Sequence, residues 1–89
     1  MLVLPTELTQ KQASACLRML VQGLKSEVEP ALVVDATALD RFDSSALAVL
    51  LEVRRESLAI GKRFAVRGLP ARLGNLAELY GIADLMPSA

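Results

Sequence analysis

The side chains placed to do chemistry are hydroxyls and carboxylates. Ser44 and Ser45 stand together directly after an acidic stretch that contains Asp35, Asp40 and Asp43. Three chemistries are open to that arrangement. A serine oxygen at a helix start accepts free N–H groups of the first turn, a cap worth roughly 1 kcal/mol. A phosphate on Ser44 would sit at the positive end of the helix dipole, with Asp40 and Asp43 repelling it. Three carboxylates beside a hydroxyl are also a donor set for Mg²⁺, although neither GxxxxGK[ST] nor GxGxxG accompanies them. The rest of the catalytic repertoire is missing. There is no His, so the usual proton shuttle and a Ser-His-Asp triad are excluded. The single Cys16 allows neither an internal disulfide nor a Cys-based zinc site. The expectation is a chain without cofactor, metal or enzymatic turnover.

Any use of Ser44 requires elements that hold it in place. Leu2-Val3-Leu4, closed by Pro5, predicts a short edge strand. Thr9 is a candidate cap for a helix from about Gln10. Ala13, Cys16, Leu17, Leu20 and Leu24 recur there at helical spacing, which makes Cys16 a core residue. Ala31 to Ala36 is mostly apolar without clean alternation, the pattern of a strand covered on both faces. Thr37 to Asp43 reads as a polar connection anchored by Phe42. A second helix runs from about Ser44 to Ile60, stopped by Gly61. Arg63 to Arg67 is a third strand and Gly68 a turn. Pro70 opens a third helix that ends at about Tyr80 and Gly81, with Tyr80 either a partner contact or, as the more frequent case, closing that helix against Leu76. Ile82, Leu85 and Met86 form an apolar tail that should return to the core. Strand and helix alternate throughout, which predicts α/β architecture with parallel neighbours and right-handed crossovers.

Length and composition narrow the function classes. Eighty-nine residues, 53% of them hydrophobic, make one domain over 1–89 that buries about 60–65% of its surface on folding. Ten basic residues balance ten acidic ones, and aromatics are only 3% of the chain. That argues against nucleic acid as a partner, which calls for a basic excess or stacking platforms. No apolar run approaches the roughly 18 residues of a membrane span, and the start of the chain lacks a basic n-region. The expected setting is the cytoplasm, with no direct membrane insertion. Charge is nevertheless segregated. Residues 27–43 carry five acids against Arg41, whereas 62–72 carry four basic residues and no acid. Either the two stretches are solvated surface or one docks a partner of opposite sign.

The second helix is apolar on nearly all sides for two turns. Leu47, Leu50 and Leu51 can face the sheet, which leaves Ala46, Val49 and Val53 pointing elsewhere. In so small a domain that second stripe is either covered by another helix or is a protein interface. The segment Asp35-Ala36-Thr37-Ala38-Leu39-Asp40-Arg41-Phe42-Asp43-Ser44-Ser45-Ala46-Leu47-Ala48-Val49-Leu50-Leu51 resembles the signature of STAS domains, the anti-sigma-factor-antagonist fold. There a strand leads through an acidic loop to Asp-Ser-Ser/Thr-Gly-Leu at a helix start. Gly61 to Leu69 resembles the family's next strand, Leu76 to Ile82 its final helix and turn, and Glu7-Leu8-Thr9 its opening. The resemblance implies an α/β STAS fold, with a small mixed or mostly parallel sheet covered by helices.

Within that family the chain is most similar to the short STAS subunit of Mla phospholipid-transport ABC systems. This implies a non-catalytic cytoplasmic protein, peripheral to the inner membrane through its partner. It would bind the ATPase subunit and support the transporter that maintains outer-membrane lipid asymmetry. The family's regulatory hydroxyl falls on Ser44, and the implied partner surface is Asp43, Ser44, Ser45, Ala46 and Val49. Two departures bear on this. Ala46 replaces the usual Gly, and Ser44 matches the phosphorylated serine of anti-sigma antagonists better than the threonine of Mla subunits. The alternative is therefore an antagonist that binds a kinase-type anti-sigma factor until Ser44 is phosphorylated.

Overall fold

In the computed structural model, which describes residues 1–89, the elements follow the chain as β1 (Leu2–Val3), β2 (Glu7–Leu8), α1 (Ala13–Ser26), β3 (Ala31–Asp35), β4 (Arg41–Phe42), α2 (Ser45–Ala59), β5 (Arg63–Arg67) and α3 (Ala71–Leu79), closed by a 3-10 turn at Ala83–Leu85. The expected strands pair in the order β1-β3-β5, with β1 at an edge. Every pairing is parallel, with Val34 between Leu2 and Val66. The chain after the 3-10 turn extends the sheet beyond β5. Val66 N–H donates to Pro87 O (2.8 Å), and Ala89 N–H donates to Val66 O (3.0 Å).

The connection from Thr37 to Asp43 is more structured than its polar composition suggests. Arg41-Phe42 pairs in parallel with Glu7-Leu8 as a second, two-stranded sheet. Thr6 O accepts the N–H groups of both Asp40 (2.8 Å) and Arg41 (3.0 Å). Two-residue strands carry no readable alternation, so nothing in the pattern announced them. Phe42 does anchor this segment. It packs against the core, and the Arg72 guanidinium lies 4.9 Å from its ring centroid.

The helices differ from expectation in instructive ways. The regular part of α1 begins at Ala13, after a turn over residues 10–12. Thr9 still serves that end through one half of a capping box: Gln12 Oε1 accepts from Thr9 N–H (2.8 Å) and from its hydroxyl (2.6 Å), while Gln12 N–H donates to the Thr9 carbonyl (3.0 Å). Of the two readings of the second α2 stripe, coverage by another helix is the one observed. Ala46 and Val53 are 0% exposed and Val49 is 3% exposed, because α1 packs along that side of α2. Cys16, Leu20 and Leu24 from α1 join them in one core cluster. Each buried aliphatic side chain of this kind stabilises the fold by about 1.5–3 kcal/mol. Tyr80 is 56% exposed at the end of α3, where its backbone N–H donates to Leu76 O (3.1 Å). One other expectation fails. β3 alternates, with Leu32 and Val34 buried but Ala31, Val33 and Asp35 only half-buried, so one face of the sheet lacks a helix. The tail returns as expected, with Met86 buried and Ile82 packed against the core.

Candidate functional site

Ser44 sits where the loop after β3 meets the start of α2. The loop leaves β3 through an Asx turn. Asp35 Oδ1 accepts from Thr37 N–H (2.9 Å) and from the Thr37 hydroxyl (2.5 Å). These bonds, the hydroxyl's first, hold the Asp35 carboxyl below its ordinary range. Thr37 packs directly on Gly68. A Cβ at Gly68 would lie 2.3 Å from Thr37 Oγ1 and 3.2 Å from its Cα, and the backbone there is left-handed at φ +66°. Only glycine meets both conditions. Ala36 N–H donates to Arg67 O (2.8 Å), which fixes the same loop to the end of β5.

At the other end of the loop, Asp43 does the work expected of a serine cap. Its Oδ1 accepts from Ser45 N–H (2.8 Å) and its Oδ2 from Gln10 N–H (3.1 Å). One carboxylate thus joins the turn before α1 to the first turn of α2. The two backbone donors, Ser45 first, hold the Asp43 carboxyl below its usual value. Ser44 occupies the cap position but already has helical backbone angles (φ −62°, ψ −16°), and its side chain makes no capping bond. In that conformation its carbonyl accepts from Leu47 N–H (3.1 Å), while the hydroxyl is left exposed and without a partner in the chain. The capping reading of Ser44 is therefore replaced by an Asp43 cap and an unengaged Ser44 hydroxyl.

The surroundings are of two kinds. A groove of about 190 Å³ between the starts of α1 and α2 is lined by Ala13, Ser14, Leu17, Ser45, Ala48 and Val49. A polar hollow of about 350 Å³ is lined by Glu7, Thr9, Gln10, Lys11, Arg41 and Asp43. The residues expected on a partner surface separate accordingly. Asp43 and Ser44 are exposed, and Ser45 is half-buried at the groove. Val49 contributes only to the groove floor. Ala46 is wholly interior, so its methyl is part of the core and does not face outward. Ser14, Leu17 and Ala48 complete the groove and were not singled out as surface. Leu17 followed the apolar period of α1, which signals burial, and a small alanine gives no signal. The Gln10 contact is made by backbone and has no side-chain signature.

The acidic residues do not converge. The Asp35 carboxylate is bound to Thr37 and that of Asp43 to backbone N–H groups. No three His, Cys, Asp or Glu residues are grouped to hold a metal ion, which removes the geometric basis for the Mg²⁺ reading of Asp35, Asp40 and Asp43. No helix is long and apolar enough to cross a membrane.

No curated protein matches the chain. A family model described as "Mlab, STAS domain" matches residues 1–87, a span that takes in the β3 loop, the Asp43 cap, Ser44 and every element of the fold. On that match the chain belongs to the Mlab STAS-domain family.

Proposed function

We propose that this protein is a non-catalytic STAS subunit that binds the ATPase of an inner-membrane, Mla-type phospholipid-transport ABC transporter. In this reading it supports assembly and activity of the transporter from the cytoplasmic side, and through it outer-membrane lipid asymmetry. The observation that carries the reading is the Ser44 hydroxyl. It is exposed at a rigidly held helix start, released from capping by Asp43, within a chain matched to the Mlab STAS family over residues 1–87. The contact consists of Asp43 and Ser44 at the rim, Ser45 and Ala48 beside the groove, and Val49 as its floor. Ser44 donates or accepts a hydrogen bond across the interface, and the groove accepts an apolar side chain of the ATPase. Such a role requires positioning and complementarity, and no group in this chain has to turn over.

The test is purification of the chromosomally tagged chain in mild detergent, with mass spectrometry of its partners. The ATPase and its permease should accompany the wild-type chain. Ser44→Glu should lower their recovery about tenfold or more, because a carboxylate would be buried there without a counter-charge. Recovery of Ser44→Glu complexes at wild-type levels would show that the contact lies elsewhere.

The same exposed and unbonded hydroxyl supports a second reading, an anti-sigma-factor antagonist switched by phosphorylation of Ser44. Phosphate there would act by repulsion and by the cost of desolvating two negative charges. Recovery of a kinase-type anti-sigma factor in place of an ATPase, with a phosphorylated Ser44 peptide, would select it.

A further inference from the structure

The β1-β3-β5 sheet has a face that no helix of the chain covers. Its strand order, continued beyond β5 by the bridge from Val66 to Ser88, steps in one direction and is parallel throughout. Right-handed crossovers that step the same way each time deliver every helix to one side. Leu32, Val34, Phe64 and Val66 are buried on that side. On the other, Met1 is 53% and Val3 54% exposed, and Ala31, Val33 and Ala65 are half-buried. All-parallel sheets occur almost only with both faces covered.

Charge on this face is divided by strand. Asp35 ends β3 and Glu29 lies just before it, whereas Arg63 and Arg67 are the two ends of β5. The arginines are four residues and about 13 Å apart along the strand, so they are two separate stations. Register sets Arg67 beside Asp35 and Arg63 beside Ala31, and Glu29 and Arg63 line one depression of about 360 Å³ together with Met1 and Val33. None of these four charges forms an ion pair within the chain. Arg67 donates to the Met1 sulfur (3.5 Å), and Asp35 Oδ1 accepts from Thr37.

Acids on one row and bases on the next make a pattern complementary to itself. A twofold axis along the strands, above the gap between β3 and β5, lays β3 of one copy on β5 of another. Arg67 then faces Asp35 of the second copy, Val33 faces its Ala65, and Arg63 faces the end of β3 that Glu29 precedes. An axis across the strands would instead lay β5 on β5 and bring the arginines together, so charge selects the first arrangement. That axis is also central to the four rows formed by β1, β3, β5 and residues 87–89. Met1 and Val3 therefore fall on the exposed Pro87 to Ala89 row, and the two faces overlap throughout. Ala31, Val33 and Ala65 are small enough for the roughly 10 Å spacing of packed sheets. The chain has no net charge, so two copies meet without long-range repulsion. Four rows about 4.8 Å apart and five residues long give roughly 300 Å² in projection, and about twice that as accessible surface. This falls short of the ~800 Å² per partner of a standard interface, which sets a weak dimer, half-formed at about 10–100 µM.

We infer that the open face of the β1-β3-β5 sheet docks the same face of a second copy of this chain about a twofold axis along the strands, with Arg67 against Asp35 and Arg63 against Glu29 of the other copy. This surface is separate from the Ser44 groove, and the inference stands independently of the reading given to that groove.

The experiment is sedimentation equilibrium of the full chain, whose mass should rise from one copy toward two between about 5 and 300 µM. Glu29→Arg and Arg63→Glu, both at exposed positions, should each weaken self-association about tenfold, because each sets like charges against one another across the axis. Mixing the two variants in equal amounts should restore the mass. In the mixed dimer the introduced arginine meets the introduced glutamate, and the native Arg63 of one variant meets the native Glu29 of the other. A chain that stays monomeric at about 300 µM, a dimer that neither variant weakens, or a loss that mixing fails to restore would each overturn the inference. The photocrosslinker p-benzoylphenylalanine at position 33, in the cells that make the chain, should yield a crosslinked pair of copies. A crosslink to a different protein or to lipid would give the face to that occupant and overturn the inference as well.

Discussion

Replacing Gly68 by alanine tests the geometry that holds the Ser44 loop. The backbone at Gly68 is left-handed, and an added methyl would meet Thr37 Oγ1 at 2.3 Å. Placing an L-residue in that conformation costs about 1–2 kcal/mol. Forcing Thr37 aside costs about 1–3 kcal/mol more, as overpacking does, and it detaches the hydroxyl that Asp35 accepts. The smaller conformational freedom of alanine in the unfolded chain offsets about 0.4–1 kcal/mol. The net expectation is a loss on the order of 2–3 kcal/mol. In urea, with a slope of about 1 kcal/mol/M for a domain of this size, the midpoint should fall by about 2–3 M. The contact with Thr37 can be separated from the backbone conformation by a double-mutant cycle. In a Thr37→Ala background the Oγ1 overlap is gone, so the same glycine replacement should cost roughly 1 kcal/mol less, while the cost of the positive φ remains. A Gly68→Ala chain that unfolds within about 0.5 M of the parent would refute the described junction of the β3 loop with the end of β5.

Three further outcomes follow from the same structure. Ala46→Gly should destabilise by about 1–2 kcal/mol, through helix propensity and one lost buried methyl, and should leave ATPase copurification unchanged; stronger copurification would mean that residue 46 meets the partner after all. Ser57, 0% exposed, donates to Lys62 O at 3.2 Å, so Ser57→Ala should cost about 1 kcal/mol and lower the melting temperature by roughly 4–8 °C. The Asp35 and Asp43 carboxyls are both held below their ordinary value of 3.8 by hydrogen bonds in the fold. The unfolded chain therefore binds those protons more tightly, the stability they contribute is complete above that value, and it drains away as pH falls through their lower folded values. Asp43→Asn should flatten the decline in urea midpoint below about pH 4, and an unchanged decline would show that its carboxylate does not hold Gln10 and Ser45 together.

The elements that were legible in the sequence are those whose burial repeats at a regular period. The α1 face through Cys16, Leu20 and Leu24, the strands at 31–35 and 63–67, and the glycine stop at Gly61 all have such signals. The Asp43-Ser44-Ser45 segment was legible as a candidate site because its polar run interrupts an apolar context. What was not legible depends on the third dimension. Whether Ala46, Val49 and Val53 face a partner or α1 is decided by where α1 crosses, and one helix does not encode that. The exchange of roles between Ser44 and Asp43 turns on the backbone of Ser44, which is helical rather than extended as a capping serine would be, so that the carboxylate rather than the hydroxyl reaches Ser45 N–H. The strand pair of Glu7-Leu8 with Arg41-Phe42 is too short to carry a pattern. The open sheet face was misread because β3 looks uniformly apolar: Ala31 and Val33 are as hydrophobic as a covered face requires, although no helix of the chain covers them.

These corrections bear on where binding energy resides. With the apolar stripe of α2 consumed by α1, the Ser44 pole offers a partner little more than Leu17, Ala48 and the floor formed by Val49. At about 25 cal/mol per Å² of apolar surface, so narrow a groove gives modest affinity. In the proposed contact, hydrogen bonding and steric exclusion at Ser44 would then account for a large share of the affinity. A single negative charge at such a position has a large effect because there is little apolar burial to offset it. The unspent apolar reserve lies on the sheet face, rimmed by Arg63 and Arg67.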